Sequence, residues 1–270
     1  MNSSSINTYN SYNRIATTYD PLLLIILIDN SLSMNELNED SINKGRIAAD
    51  YANRIVNAFI HRHYPHNRCY FEIAAYNDKI RALCSGNLCE LREKPLRLEK
   101  GIDHISDGEG GLVEVETVKP IWIEYHRSFS QGSLALGLSH AATSIVSWQV
   151  NHINSPAPIV INITDGKNVT PTSYSKDMAA FKKLTQISIN DGAPLLYNLL
   201  VRALPGKEKE DLNNTPLSTL TSIIPLSYID ELRRADADYF QFDNESSRRG
   251  CFTDVRDVIA VALASSLPCE

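Results

Sequence analysis

One aspartate and two serines stand at alternate positions directly after an apolar run. Residues 22–27 (LLLIIL) continue through Ile28 into Asp29, and Ser31 and Ser33 follow. If the loop curls, a carboxylate and two hydroxyls at this spacing can converge on one hard cation. Mg²⁺ prefers oxygen ligands in octahedral geometry and keeps several of its waters. The spacing indicates a candidate magnesium site, but Asp, Asn and Ser are also typical of a polar turn after a core strand.

Two further polar positions stand at the ends of predicted elements, one after a strand and one at the start of a helix. Residues 22–28 are too few to span a bilayer, which takes about 20 apolar residues, and they predict a strand buried on both faces. A second run rich in apolar residues, 159–163, leads directly into Thr164 and Asp165. Ser133 follows Gly132 where a second amphipathic helix is predicted to begin. Carboxylates therefore follow two apolar strands, and a hydroxyl stands at the start of a helix.

The order of the predicted elements places these positions on one edge of a sheet. Strands are predicted at 22–28, 69–76, 80–84, 159–163 and 195–203, and the main helices at 40–63, from 133, at 174–189, 226–235 and 252–267. Alternating strands and helices predict an α/β fold with a mostly parallel sheet and helices on both faces. Ligands of such sheets bind beyond the carboxyl ends of the strands. Asp29, Ser133 and Asp165 are therefore expected to meet there.

The remaining segments suggest one domain with additions. Residues 1–19 are polar and rich in Ser, Asn and Tyr, and we interpret them as a leader before a domain at 20–270. Within that domain, residues 85–127 predict a β-rich insertion, with extended stretches at 88–98 and 112–122 around an acidic Asp-Gly-Glu-Gly-Gly turn. The Asn-rich start lacks the charged-then-apolar layout of a signal peptide, so we predict a cytoplasmic protein.

Composition excludes several classes of function. The chain has 270 residues, of which 43% are hydrophobic and 21% charged, which is ordinary for a globular protein with a substantial core. A net charge of −6 disfavours nucleic acid and anionic membranes as partners. The five cysteines are odd in number and widely spaced, which favours reduced thiols over a disulfide framework. Only Cys84 and Cys89 are close enough in sequence to leave a bridge open.

Together these motifs resemble the von Willebrand factor type A (vWA) domain family, over residues 20–267. The family carries an Asp-x-Ser-x-Ser after its first strand, a hydroxyl residue after a later Gly, and an Asp after its fourth strand. These form its metal-ion-dependent adhesion site (MIDAS). The resemblance implies a Rossmann-like fold and a site for Mg²⁺, with Mn²⁺ or Ca²⁺ as substitutes. The implied ligands are two carboxylates and three hydroxyls: Asp29, Asp165, Ser31, Ser33 and Ser133.

The resemblance also implies protein binding without catalysis. A cation held by two carboxylates, hydroxyls and water keeps an open position that attracts an Asp or Glu of a partner protein. Stand-alone members of the family suggest an intracellular bacterial assembly or regulatory system as the setting. Two positions depart from the family pattern, because Ser133 stands where Thr is usual and Leu32 where Gly is common.

Other functions agree less well with the sequence. A metal-dependent phosphoesterase of a Rossmann-like fold needs a second Asp two residues after Asp29, where this chain has Ser31. A metal-free scaffold that keeps only the fold is the third possibility. A zinc site from His61, His63, His66 and Cys69 is disfavoured because these residues straddle a helix end and a proline. The Asp-Gly-Glu-Gly-Gly turn lacks the alternating acidic ligands of a calcium loop.

Overall fold

The computed structural model describes residues 11–38, 41–106, 111–201, 215–235 and 247–266. Eight strands and six helices lie in these ranges. The strands are β1 (Leu22–Asp29), β2 (Cys69–Tyr76), β3 (Ile80–Asn87), β4 (Arg97–Ser106), β5 (Leu112–Ile121), β6 (Ile159–Thr164), β7 (Leu195–Leu200) and β8 (Cys251–Phe252). The helices are α1 (Lys44–His63), α2 (Leu88–Glu93), α3 (Leu134–Gln149), α4 (Tyr174–Thr185), α5 (Leu226–Ala235) and α6 (Val255–Ala264).

Six of the strands form one central sheet in the order β3-β2-β1-β6-β7-β8. All neighbours in it are parallel except β3, which runs antiparallel to β2. The chain starts with β1 in the middle of the sheet, adds β2 and β3 on one side, and later adds β6, β7 and β8 on the other. Parallel neighbours in such a sheet are joined by crossover connections, usually helices. The predicted α/β, Rossmann-like fold is confirmed.

Strand β1 is buried on both faces because helices cover both. Its alternate side chains Leu22, Leu24 and Ile26 pack with residues of α1, α5 and α6 on one side. Leu23, Ile25 and Leu27 pack with residues of α3 and α4 on the other. Full burial of an aliphatic side chain contributes about 1.5–3 kcal/mol, so the unbroken apolar run fixes β1 at the centre of the sheet.

Helix α1 begins at Lys44, later than the start of the helix predicted at 40–63, whose polar residues Asp40 and Ser41 could have capped it. Asn43 is the N-cap, and its side chain accepts a hydrogen bond from the Arg46 amide at 3.1 Å. Ser41 instead has a positive φ of 60°, a turn conformation that cannot lead directly into a helix. The helix ends at His63, one residue before Tyr64 and Pro65, as predicted.

The segment 85–127 is only partly β-structured. Strand β3 runs on to Asn87, and residues 88–93, predicted to be extended, form α2. Asn87 and Glu90 make a reciprocal capping box at its start, which stabilises a helix over an extended chain. Strands β4 and β5 then form a two-stranded ribbon paired in full register from Arg97–Ile121 to Ser106–Leu112. Residues 107–110 of the acidic turn lie outside the described residues.

The part of the predicted leader that the structure describes packs against the domain. The backbone amides of Asn13 and Arg14 donate to Asp191 Oδ1 at 2.9 and 3.0 Å, and the Ser227 hydroxyl donates to the Tyr12 carbonyl at 2.7 Å. Cys69, Cys84, Cys89 and Cys251 are free thiols. Within the described ranges, every helix is too short or too polar to cross a membrane.

Candidate metal centre

The pairing of β1 with β6 places Asp29 and Asp165 beside each other. The register runs from Leu24–Ile159 to Ile28–Ile163, so Asp29 ends β1 next to Thr164, and Asp165 is the first residue after β6. Parallel strands end at the same edge of a sheet. The two carboxylates are 136 positions apart in the sequence. They nevertheless lie at one edge of the sheet, as predicted.

Asp29 is buried and held by two donors. Only 1% of the residue is exposed. The Thr164 hydroxyl donates to Oδ2 at 2.6 Å, and the Ser31 amide donates to Oδ1 at 2.9 Å. Burial raises the pKa of Asp29 to about 6, although both hydrogen bonds favour the charged form. Burial removes the water that would stabilise the charged carboxylate, and a nearby cation would replace that stabilisation.

The serines of the motif connect the two carboxylates. Residues Leu32–Asn35 form a 3-10 turn, which curls the loop back over the end of β1. Ser31 Oγ lies 3.0 Å from Ser33 Oγ, and the Ser33 hydroxyl donates to Asp165 Oδ1 at 3.1 Å. Asp29, Ser31, Ser33 and Asp165 are therefore joined in one hydrogen-bonded group, through the Ser31 amide and the two serine hydroxyls.

Ser133 reaches the same edge through its glycine neighbour. A Cβ on Gly132 would lie 2.9 Å from Ser31 Cβ and 3.0 Å from Asn168 Cβ, so the backbone passes the motif at a distance that only glycine allows. Ser133 is the N-cap of α3, and its hydroxyl oxygen accepts a hydrogen bond from the Leu136 amide at 3.4 Å. The structure thus places the residue before Ser133 against Ser31, at the edge where Asp29 and Asp165 lie.

Two lysines and a glutamate at this edge were missed by the sequence analysis. Lys44 Nζ lies 3.0 Å from Asp165 Oδ2 and 2.9 Å from Glu36 Oε2. Lys167 Nζ lies 2.6 Å from the same Glu36 oxygen. The hydrogen bonds from Lys167 and Lys44 lower the pKa of Glu36 to about 2. Burial lowers the pKa of Lys44, but Glu36 and Asp165 outweigh it and the net shift is upward.

One signal for Lys44 was present in the sequence. It is the first residue of α1, and a positive charge is unfavourable at a helix N-terminus because of the helix dipole. A lysine in that place indicates a carboxylate nearby. No local pattern identifies Asp165 as that carboxylate, since the two residues come from separate elements.

A chain of buried polar side chains lies beneath the edge. Asn168 donates to the Tyr76 hydroxyl at 3.1 Å, and that hydroxyl donates to Asn162 Oδ1 at 2.9 Å. Asn162 donates in turn to Asn198 Oδ1 at 2.8 Å, and Asn198 to the Leu220 carbonyl at 2.7 Å. These bonds explain how two asparagines are accommodated in core strands, and they anchor Asn168 beside Gly132.

The donor set fits a hard divalent cation. It consists of carboxylate and hydroxyl oxygens, which suit Mg²⁺, Mn²⁺ and Ca²⁺. Asn168 Oδ1 is buried beside this group and has no hydrogen-bond partner among the described residues. An unsatisfied acceptor here suits a hydrated ion, whose waters donate hydrogen bonds. If Mg²⁺ binds, Asp29, Ser31, Ser33, Ser133 and Asp165 would hold it, and it would supply the positive charge that attracts a carboxylate.

The histidine cluster considered for zinc is arranged differently. His63 is buried, and its Nε2 lies 2.9 Å from Ser266 Oγ. Burial lowers the pKa of His63 to about 4, and the charges of Arg68 and Arg62 add to this effect. Within the described ranges, no three His, Cys, Asp or Glu side chains are grouped to hold a metal. The oxygen site differs in kind because three of its five groups are hydroxyls.

Among known proteins, similarity is found to solved structures only. The sequence matches no protein-family profile and no curated protein sequence. The similar structures include manganese-loaded TRAP protein from Plasmodium vivax, with 11% identity, a TM-score of 0.42 and coverage of 92% of this chain and 74% of that one. Proximal thread matrix protein 1 from the mussel byssus, with a zinc-occupied MIDAS motif, has 13% identity, a TM-score of 0.45 and coverage of 92% and 47%.

A third similar structure is a von Willebrand factor type A protein from Catenulispora acidiphila, with 11% identity and a TM-score of 0.38. The match covers 95% of this chain and 48% of that one. The chain spans less than two thirds of the length of several structures that it matches. These likenesses are weak, so the fold assignment rests on the chain's own geometry. The parallel strand order, the two helical layers and the meeting of the motif residues on one edge agree with the predicted resemblance, and the chain folds as a von Willebrand factor type A-like domain.

Proposed function

We propose that this protein is a metal-dependent protein-interaction module. A Mg²⁺ ion held by Asp29, Ser31, Ser33, Ser133 and Asp165 would bind an Asp or Glu side chain of a partner protein. The observation that carries the proposal is the hydrogen-bonded group of Asp29, Ser31, Ser33 and Asp165 at one edge of the sheet. Two carboxylates balance the charge of one divalent ion, which leaves it able to attract a third carboxylate.

The surroundings of the site suit a protein partner. Leu32 is 45% exposed and Phe129 is 78% exposed. Their loops touch, because the Leu32 amide donates to the carbonyl of Ser130 at 2.9 Å. Large exposed apolar side chains beside a polar site are typical of protein-binding surfaces. They favour a macromolecular partner over a small phosphate ester, and Ser31 occupies the position at which a phosphoesterase needs its general acid.

The site would bind its partner conditionally. A carboxylate–metal contact that excludes water is strong, and it is lost when the metal is removed. The proposal therefore assigns no catalytic residue and describes a binding module. A bacterial cytoplasmic assembly or regulatory system is the setting that we propose for it.

A titration of chelator-treated protein with Mg²⁺ by calorimetry tests the proposal. We expect saturable binding to the wild type and none to Asp29→Ala. Asp78→Ala is the matched control, because Asp78 is an exposed carboxylate in the turn after β2, at the same edge of the sheet. Equal binding by all three proteins would place the metal elsewhere. A positive result justifies partner capture with and without chelator, with Asp29→Ala as bait in parallel.

One observation favours the alternative of a metal-free scaffold. The ammonium of Lys44 already lies on Asp165 Oδ2, so the site has a cation of its own. Absence of metal binding in the titration would support this alternative, and the role of Lys44 can be tested separately.

A further inference from the structure

Two lysines at the edge contact the same carboxylate, yet their surroundings differ. Lys167 and Glu36 are exposed, at 55% and 51% of their side chains. An ion pair of this kind contributes little to stability. Lys44 and Asp165 are 13% and 3% exposed. A mostly buried ion pair destabilises the fold unless its geometry offsets the cost of removing both charges from water. The position of Lys44, unlike that of Lys167, therefore requires an explanation.

Both oxygens of Asp165 are occupied, and by different kinds of donor. Oδ1 accepts from the Ser33 hydroxyl at 3.1 Å and from the Lys167 amide at 3.1 Å. Oδ2 accepts from Lys44 Nζ at 3.0 Å. The hydroxyl can turn and present its oxygen to a cation. An ammonium has no acceptor, so Lys44 can only compete with a cation for the carboxylate.

The position of Lys44 is set by its backbone. The Lys44 amide donates to the Glu36 carbonyl at 3.0 Å, and the Asn43 side chain donates to the Asn35 carbonyl at 2.8 Å. A Cβ on Gly45 would lie 2.1 Å from a carbon of the Tyr125 ring, so this ring lies directly against the start of α1. The first turn of the helix is thereby fixed with Lys44 directed at Asp165.

Helix stability does not account for a lysine at this place. Lys44 is the first residue of α1, and the partial positive charge of a helix N-terminus repels a cation. What the lysine does there is neutralise one of the two carboxylates of the candidate metal site.

We propose that Lys44 is a built-in counter-ion of this site, which stabilises the metal-free form by pairing with Asp165 and competes with a divalent metal ion for that carboxylate. This inference rests on the proposed function, because it assumes the same five residues as the metal site. With Lys44 in place, Asp29 and Asp165 together with the ammonium carry a net charge of −1. A divalent ion is then attracted by one net negative charge instead of two. The ion and the ammonium of Lys44 also repel each other.

The competition predicts that loss of the Lys44 charge tightens metal binding. In Lys44→Met the side chain keeps its length and loses its ammonium. Charges a few ångströms apart near a protein surface interact strongly enough that we expect the Kd for Mn²⁺ to fall at least about tenfold. Lys167→Met is the matched control, since it removes the other lysine on Glu36 and leaves Asp165 Oδ2 untouched. Its Kd is expected to stay within about threefold of the wild-type value, as for an exposed charge.

The experiment is a Mn²⁺ titration of chelator-treated wild type, Lys44→Met and Lys167→Met, followed by the signal of free Mn²⁺ in electron paramagnetic resonance. Thermal unfolding of the same samples is the second measurement. We expect metal-free Lys44→Met to unfold at a lower temperature than the wild type, because Asp165 is left without its counter-ion. Saturating Mn²⁺ should then raise its Tm by more than it raises that of the wild type.

The outcomes separate this inference from the proposed function. If the wild type binds Mn²⁺ and Lys44→Met binds it equally or less well, the counter-ion role is overturned and the metal-dependent function stands. If only Lys44→Met binds Mn²⁺, the competition is supported, and the native protein is a scaffold whose lysine replaces the metal. If none of the three proteins binds Mn²⁺ at millimolar concentration, both proposals are overturned.

Discussion

Buried carboxylates lie at both ends of the central sheet, and their partners differ. At the amino ends of β6 and β7, Asp191 is 1% exposed and accepts from the backbone amides of Asn13, Arg14 and Ala157 at 2.9–3.0 Å. At the carboxyl ends of β1 and β6, Asp29 is equally buried. It and Asp165 are held there by the hydroxyls of Thr164 and Ser33 and by the ammonium of Lys44, as well as by amides.

The difference lies in what the donors can become. A backbone amide can only donate, so Asp191 joins three chain segments permanently. A hydroxyl can turn and accept, and an ammonium can leave. The group around Asp29 and Asp165 can therefore exchange its internal hydrogen bonds for a cation, whereas the group around Asp191 cannot. Burial alone does not show which of these carboxylates is functional. The kind of hydrogen-bond donor does distinguish a structural carboxylate, held only by amides, from one whose donors can be replaced by a cation.

The largest expected effect is at the structural end. Asp191→Ala leaves three amides without an acceptor and releases the segment around Tyr12 from the domain. The Ala157 amide is buried, and the amides of Asn13 and Arg14 are partly buried. Since an unsatisfied buried donor costs about 1–3 kcal/mol and a partly buried one costs less, we expect a loss of about 3 kcal/mol in the free energy of unfolding, measured by urea denaturation. Asp191→Asn keeps one acceptor oxygen and should lose less. A loss below that of Asp165→Ala would contradict the distinction between the two ends.

Protonation of His63, which lies at the edge of the sheet opposite to the metal site, should lower the stability of the protein in acid. Helix α1 begins at the metal edge with Lys44 and ends at the opposite edge with His63, whose pKa is lowered to about 4 by burial. Below the ordinary pKa of about 6.5, the unfolded chain binds a proton that the folded protein refuses. The contribution of His63 to stability is therefore lost as the pH falls from about 6.5 to 4, by at most about 3 kcal/mol. Asp29 acts in the opposite direction in this range, because its pKa is raised to about 6, so the comparison is made between variants. His63→Gln should remove this part of the pH dependence, and exposed His61→Gln should not.

Gly132→Ala tests how closely the metal edge is assembled. The added methyl would lie 2.9 Å from Ser31 Cβ and 3.0 Å from Asn168 Cβ, neither of which is the end of a flexible side chain. Overpacking of this kind costs about 1–3 kcal/mol, and we expect about 2 kcal/mol in denaturation. The displacement of Ser31 and Ser133 should also weaken Mg²⁺ binding. Gly101→Ala is a control, since its nearest contact would be an ordinary 3.4 Å. Unchanged metal affinity in Gly132→Ala would argue against Ser133 as a ligand.

Asp165→Ala should have the smallest effect on folding and the clearest effect on binding. Lys44 keeps Glu36 at 2.9 Å, so its ammonium is not left unpaired, and Asp29 is relieved of a neighbouring negative charge. We therefore expect a loss of about 1 kcal/mol, less than the cost of leaving a buried charge without any partner. Mg²⁺ binding and metal-dependent partner binding should disappear. Circular dichroism and calorimetry on the same preparation measure both quantities. An unfolded variant would show that Asp165 serves the fold more than the site.

Much of the fold was predictable because its signals are local. The apolar residues of β1 and the helical spacing of apolar residues in α1 each identify an element from a short, continuous segment of sequence. The errors are also local in origin. Residues 88–93 were predicted to be extended because the capping box of Asn87 and Glu90 was overlooked. The start of α1 was placed early because Asp40 and Ser41 could each have capped it.

The sequence by itself determined which residues could bind a metal and the order in which elements present them. Asp29, Ser31 and Ser33 follow β1 by chain connectivity, and Asp165 follows β6 for the same reason. Only the tertiary structure decided what those residues meet. Lys44 contacts Asp165 across 121 positions of sequence, and Asp191 joins Asn13 across 178. Such contacts depend on how helices pack on a sheet, which no short stretch of sequence specifies.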